Sequence, residues 1–316
     1  MKSIVIYFSI TGNTRKIAEA IHKGIKSIGE DCDIARLKDI DTPDLQGYDL
    51  VGLGSPVMWL KEFENVTAFI EHTMRGVEGK HAFAFCTHGA LPAQYFSRVI
   101  PAMKQRGMAV IGWNDWYGGV YFPCVPKPYF TDGHPDAIDL QEAEAFGREM
   151  VERSRRIHQG ETHLIPVLLQ GKEYDDFYDP ILMNSPEETR KLKQKRFGNA
   201  LSVGFTINKE RCNYPKCTLC MDNCPMNAID LSVDPPLFNR NCGMCWMCEM
   251  ACPRGAIEFD FVPFHAAHPV IPGEGILEKT LEIMEAKGRF RRLVPLKEIG
   301  WNTPVWKLKK PRYKVR

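Results

Sequence analysis

The stretch "SIVIYFSITGNT", residues 3–14, decides the fold. Its first half is a β-branched and aromatic run with no charge, which suits a strand buried on both faces. Its second half changes character. Ser9, Thr11, Asn13 and Thr14 are small hydrogen-bonding residues, Ile10 is the one apolar residue among them, and Gly12 permits a tight turn. Apolar residues then recur at Ile17, Ile21, Ile25 and Ile28, and the pattern closes at Gly29, which reads as an amphipathic helix. A strand, a polar loop and a helix start in that order bring free N–H groups and the positive end of a helix dipole to one place. That is a site for a phosphate. The absence of lysine is no obstacle, because neutral donors satisfy an anion in such a nest.

Further strands are read in "YDLVGLGSP" (48–56), "HAFAFCTHG" (81–89) and "MAVIGW" (108–113). Helical stretches around 62–74, 92–106 and 136–158 separate or follow them. The alternation predicts an α/β unit over 1–160, a doubly wound parallel sheet with helices on both faces. Ligands of such sheets bind at the carboxyl ends of the strands, where the strand order reverses. Ser55, Pro56, Val57, Met58 and Trp59 follow one strand, and Thr87, His88 and Gly89 end another. They join residues 9–14 as site residues, with Trp59 a stacking partner for a flat ligand. A dinucleotide site is a poorer fit: Gly52 and Gly54 begin a G-x-G, but Val57 stands where the third glycine is needed.

These residues resemble the flavodoxin family over about the first 150 positions. The resemblance implies that residues 9–14 hold the phosphate of FMN and that 55–59 and 87–89 flank its ring. Two departures accompany it. No glycine lies between positions 55 and 63, and "CTHGALPAQYF" replaces the usual acidic, aromatic third loop.

Eight of the eleven cysteines crowd into positions 212–252. One run is Cys242-x2-Cys245-x2-Cys248-x3-Cys252-Pro253; the other is Cys212-x4-Cys217-x2-Cys220-x3-Cys224-Pro225. Three closely spaced thiolates grip one cubane, and a fourth, farther along, reaches a second one. Cys212, Cys217, Cys220 and Cys252 are thus expected to hold one [4Fe–4S] cluster, and Cys242, Cys245, Cys248 and Cys224 the other. A zinc ribbon uses two separated Cys-x2-Cys knuckles and needs neither the longer run nor the Cys-Pro endings. About sixty residues here resemble the two-cluster ferredoxins, a small α+β fold. Cys32, Cys86 and Cys124 lie outside the motif and read as buried apolar thiols.

Residues 1 to about 262 together then resemble flavodoxin–ferredoxin fusion proteins, and neither module accounts for the tail. The expected organisation is a flavodoxin-like domain at 1–160, a partly helical linker at 161–203, a ferredoxin domain at 204–262 and a basic, aromatic extension at 263–316. Within the linker, Ser185-Pro186 reads as a helix start. The resemblance implies an electron carrier between a donor protein and a terminal reductase of anaerobic metabolism. The alternative is a flavin-dependent reductase fed by the clusters, and no acid/base pair beside the expected flavin favours it. Either leaves open a homo-oligomer or a place in a larger complex.

A formal net charge of +2 gives no overall field toward nucleic acid. No apolar run approaches the ~20 residues of a membrane helix, and the N-terminal run lacks a signal-peptide cleavage pattern, so a reducing, cytoplasmic setting is expected. From 287 onward there are eleven Lys or Arg against one acid, Glu298, with Phe290, Trp301, Trp306 and Tyr313 interleaved. That composition suits a protein interface, or equally a tail that lies on its own domains with its lysines solvated.

Overall fold

The computed structural model describes residues 1–40, 45–178, 204–239, 241–263 and 276–314. The helix start expected at Ser185-Pro186 lies outside them. The chain divides into two compact units, Met1–Gly119 with Gly133–Pro180, and Val120–Asp132 with Ile181–Arg316. Residues 120–132 therefore leave the first unit and return to it.

The first unit is built on five parallel strands: β1 (Lys2–Tyr7), β2 (Asp31–Arg36), β3 (Leu50–Pro56), β4 (His81–His88) and β5 (Ala109–Tyr117), in the order β2-β1-β3-β4-β5. The order reverses between β1 and β3, which places a crevice at their carboxyl ends. Four strands fall where the apolar runs lie. The fifth, β2, has no counterpart in the sequence reading, because "DCDIAR" carries three charges in six residues and sits on the sheet edge. An edge strand needs only one side paired and tolerates such a sequence.

Helices α1 (Asn13–Lys26) and α4 (Ala137–His158) cover one face; α2 (Glu64–Ala68), continued by a π turn over Phe69–Thr73, and α3 (Tyr95–Gln105) cover the other. Two glycines allow α1 and α4 to touch backbone to backbone. A Cβ on Gly24 would stand 2.0 Å from the Glu144 carbonyl oxygen, and one on Gly147 2.4 Å from that of Ile21. Past α4, helix α5 (Gly171–Tyr178) packs Tyr174 and Tyr178 onto the α2/α3 face. The Tyr174 hydroxyl donates to Ala93 O at 2.6 Å.

The second unit has much less regular structure. Its strands β6 (Thr206–Ile207), β7 (Ile229–Asp230), β8 (Leu237–Phe238) and β9 (Ile257–Glu258) span two residues each, pairing β6 with β9 and β7 with β8, antiparallel. Helices α6 (Leu219–Asp222) and α7 (Met247–Ala251) are a turn or so long, and α8 (Ile276–Ala286) follows. An internal repeat is visible in its bonds. Asn208 N donates to Ala256 O, and Asn239 N to Ala228 O, both at 2.8 Å.

The C-terminal extension is sewn onto this unit. Lys127 N donates to Thr303 O and Val305 N to Val125 O, each at 2.9 Å. Trp306 stacks on Phe261, and Phe130 meets Trp301 edge-on. Arg312 N donates to Met250 O at 2.8 Å, and its guanidinium pairs with Glu249, a buried residue on α7. Lys310 Nζ bonds the same Glu249 at 2.9 Å. The aromatic and basic side chains read as a partner interface are, at Trp306, Lys310 and Arg312, engaged within their own unit.

Candidate functional site

The loop expected to hold a phosphate, residues 9–14, forms as its residue types dictate. Gly12, the residue before α1, has φ 88°, a conformation glycine adopts without Cβ strain. Its N–H donates to Ser9 Oγ at 3.1 Å, tightening the loop. Helix α1 carries no capping side chain and no acidic residue in its first turn. Its first N–H groups are therefore available to an anion, and the macrodipole favours one there. Thr14 is buried and shares a 2.7 Å hydrogen bond with Thr87 at the end of β4. Asn13 Nδ2 donates to Gly119 O at 3.0 Å. Ile10 is buried, while Ser9, Thr11 and Asn13 remain partly exposed.

The second loop starts from Ser55, fully buried, and passes through Pro56, Val57, Met58 and Trp59, each half-buried. Val57 N donates to Thr87 O at 2.8 Å, tying the second loop to the third. Met58 and Lys61 close a hairpin turn by mutual backbone bonds of 2.9 and 3.2 Å. The two central residues are not glycine: Trp59 has φ 55° and Leu60 φ 65°. Each such residue costs roughly 1–2 kcal/mol, and strain of this kind collects at ligand sites.

In the third loop, Thr87 and His88 are buried and Gly89 is half-buried. The His88 ring, 1% exposed, places Nε2 2.9 Å from Asp115 Oδ2, while Nδ1 is buried with no hydrogen-bond partner among the described residues. Tyr117 packs edge-on against the ring at 4.7 Å. Asp115, Tyr117, Gly118 and Gly119 touch the expected site residues His88 and Asn13 without having been among them. The sequence reading followed β5 only as far as Trp113, so "NDWYGG" at its carboxyl end went unread. Gly118 carries a detectable constraint, since a Cβ there would lie 2.8 Å from Asn13 Nδ2.

The eight motif cysteines are brought together in the crossed pattern. One cavity is lined by Cys212, Cys217, Cys220 and Cys252, a second by Cys224, Cys242, Cys245 and Cys248. The two Cys-Pro turns match: Ala228 N donates to Cys224 Sγ and Ala256 N to Cys252 Sγ, both at 3.2 Å. Met244 and Trp246 adopt positive φ of 50° and 54°, which curls the second loop around its cavity.

Each cavity presents four thiols, a donor set that fits a cubane. Among the described residues, His134, Asp136 and Asp139 are the one group of three His, Cys, Asp or Glu whose ligand atoms all lie within 4.8 Å of one another. The His134 group is the N-terminal cap of α4, in which Asp136 and Asp139 accept each other's backbone N–H. Burial, with lesser contributions from Cys252 and Cys212, pushes the Cys220 thiol up to about 11. Burial likewise pushes Cys245 up to about 12 and Cys248 well above the usual range. The remaining thiols, Cys32, Cys86 and Cys124, are buried, and burial pushes Cys32 and Cys124 up to about 12.

A reversing parallel sheet with an uncapped, glycine-led helix start at the reversal defines a mononucleotide-binding α/β unit. Comparison with known proteins makes the class specific: the chain belongs to the flavodoxin family through this unit. The family's flavodoxin domain model matches residues 4–107. The flavodoxin of Clostridium beijerinckii is 33% identical over 151 residues, covering 46% of this chain and 96% of its own. An uncharacterized ferredoxin of Methanocaldococcus jannaschii is 33% identical over 60 residues, 18% of this chain and 97% of its own. A solved flavodoxin from the domain Archaea aligns over 49% of this chain and 99% of its own, at 25% identity and a TM-score of 0.40. Membership supports FMN as cofactor and a flavin-based electron-transfer or redox role. Among the described residues, no helix is long and apolar enough to cross a membrane.

Proposed function

We propose that this chain is an electron-transfer protein that passes electrons between FMN and two [4Fe–4S] clusters, linking a donor protein to a terminal reductase in anaerobic metabolism. The observation that carries the reading is the crossed sorting of the cysteines, in which each cavity draws three from one motif and one from the other. Bound FMN accepts electrons singly or as a pair and each cubane accepts one, so the set connects two-electron and one-electron partners. Ser9, Thr11, Gly12, Asn13 and Thr14 hold the phosphate by neutral donors and helix N–H groups. Trp59, Thr87 and Gly89 border the ring, with His88 beside them. Cys212, Cys217, Cys220 and Cys252 ligate one cluster; Cys224, Cys242, Cys245 and Cys248 ligate the other. Tethering both units on one chain keeps transfer intramolecular at high effective concentration.

The test is composition followed by transfer. Anaerobically purified protein should hold about eight iron and eight labile sulfides per chain, with stoichiometric FMN released by heat. Thr11→Asp with Thr14→Asp should expel FMN and leave iron unchanged. Photoreduction through the flavin should then produce the reduced-cluster EPR signal in the parent protein and not in this variant. Stoichiometric zinc without sulfide would overturn the reading.

A further inference from the structure

The two cysteine cavities offer the same four thiols and differ in the side chains around them. The cavity of Cys212, Cys217, Cys220 and Cys252 is also lined by Arg211, Asn213 and Arg254, all three exposed. The cavity of Cys224, Cys242, Cys245 and Cys248 is walled by Phe205, Met226, Ile229, Phe238, Trp246 and Met247, none of them exposed. Among the described residues, no charged side chain lines it. Its wall is packed in turn: Phe205 stacks on Phe238 at 5.1 Å, and Trp246 meets Phe259 edge-on at 5.8 Å.

Hydrogen bonding to sulfur separates the two sets far less. The matching Cys-Pro turns give each set one backbone N–H at 3.2 Å, from Ala228 to Cys224 and from Ala256 to Cys252. Further N–H groups face sulfur on both sides, that of Met221 at Cys220 and those of Met244 and Met247 at Cys242 and Cys245. Charge is what differs. Arg211 is offset by Glu258, with which it pairs, while Arg254 forms no ion pair among the described residues. Glu249 on α7, with Arg312 and Lys310 around it, adds a trio of net positive charge. Lys310 Nζ also donates to the carbonyl of Ile257, which lines the first cavity, at 3.2 Å.

We propose that the two cluster sites are unequal, the site of Cys212, Cys217, Cys220 and Cys252 being the electron sink of the unit, with Arg254 the residue that sets its preference. This rests on the two-cluster reading above. Reduction by one electron adds a negative charge to a centre already negative through its four thiolates. Nearby cations and water stabilise that added charge, and an apolar wall opposes it. One electron that reaches the unit, from bound FMN or from a donor protein, therefore comes to rest at the arginine-lined site, and the donor is oxidised by one. The apolar site acts as the relay that hands its electron on.

The experiment is an anaerobic potentiometric titration of the full-length protein followed by EPR, after iron and labile sulfide have been counted. The parent should show two one-electron waves at least tenfold apart in preference for the electron, about 59 mV. Arg254→Gln should lower the upper wave and leave the lower one in place. Met226→Lys, which sets a cation in the apolar wall, should raise the lower wave and leave the upper one. A single wave in the parent overturns the proposal, and so does an Arg254→Gln protein in which the upper wave stays put or the lower wave moves with it. Should Arg254→Gln lose iron, Met226→Lys decides, and a lower wave that fails to rise overturns the proposal. A parent protein without iron and sulfide overturns the two-cluster reading instead.

Discussion

The two units are stabilised by different means. The first closes five strands of six to nine residues between helical layers and buries two apolar clusters around Ile6, Leu53 and Phe96 on one side and Ile17, Phe83 and Phe146 on the other. Apolar burial of that extent carries a domain by itself. The second has two-residue strands and helices α6 and α7 of four and five residues. Its aromatic centre, Trp246 flanked by Phe122 and Phe259, is assembled from distant segments. A folded-back tail and, on the proposed function, the cluster ligands replace a continuous core. One unit should therefore be indifferent to metal and sensitive to packing, and the other the reverse.

The largest effect expected of that contrast comes from iron removal. Chelation under anaerobic, reducing conditions should abolish hydrogen-exchange protection across 206–258 and leave protection in β1, β3 and β4 intact, since ligand binding energy is folding energy in such units. Retained protection in both units would erase the contrast.

Next in size is the tail. Arg312→Ala removes one of the cations facing Glu249, which is 1% exposed. Stranding a buried carboxylate costs about 3–5 kcal/mol, lowered here because Lys310 remains. Chemical denaturation followed by cluster absorbance should show a loss of roughly 2–3 kcal/mol in the second unit, and Trp or CD signals of the sheet unit should not move.

Gly24→Ala tests packing in the first unit. Alanine favours an exposed helix by about 1 kcal/mol over glycine, but here the new methyl meets the Glu144 carbonyl at 2.0 Å. Overpacking costs typically 1–3 kcal/mol, so the net should be destabilisation of about 1–2 kcal/mol, read as a lower melting temperature of the sheet unit with iron content unchanged. An increase in melting temperature would show that α1 and α4 separate freely.

The smallest effect is a pH slope. Burial, reinforced by the His158 ring tilted against it at 4.2 Å, holds His81 below the ordinary histidine range. The unfolded chain then binds the extra proton first. Stability of the sheet unit should be fully present above about pH 6.5 and decline as pH falls through it. His81→Gln should flatten that decline in urea denaturation at pH 5 and 7.

Residues 3–14 announced a strand, an anion loop and a helix because each is a local matter: β-branched burial, glycine at positive φ and a 3.6-residue apolar period. The cysteine runs were equally legible, since ligand spacing along a short loop is written in the chain. β2 was not, because its residues owe their strand conformation to hydrogen bonds from β1 rather than to their own pattern. His88 was legible as a position at a strand end and not as a chemical group. Its burial and its pairing with Asp115 join strands 27 positions apart, and no local signal couples them. The tail shows the same limit more sharply. Its composition matches that of a surface meeting a partner, and charge and aromaticity alone do not say whose surface is met. Glu249, a lone acid amid α7, offered no sign that Arg312 would seek it. The sequence by itself determined the fold class, the strand, loop and helix of residues 3–14 and the cysteine motifs, because these rest on contacts within a few residues. Tertiary structure alone decided the partner of His88, the place of residues 120–132 in the cysteine unit and the docking of Trp306 and Arg312 onto Phe261 and Glu249, because those contacts form only once distant segments have been brought together.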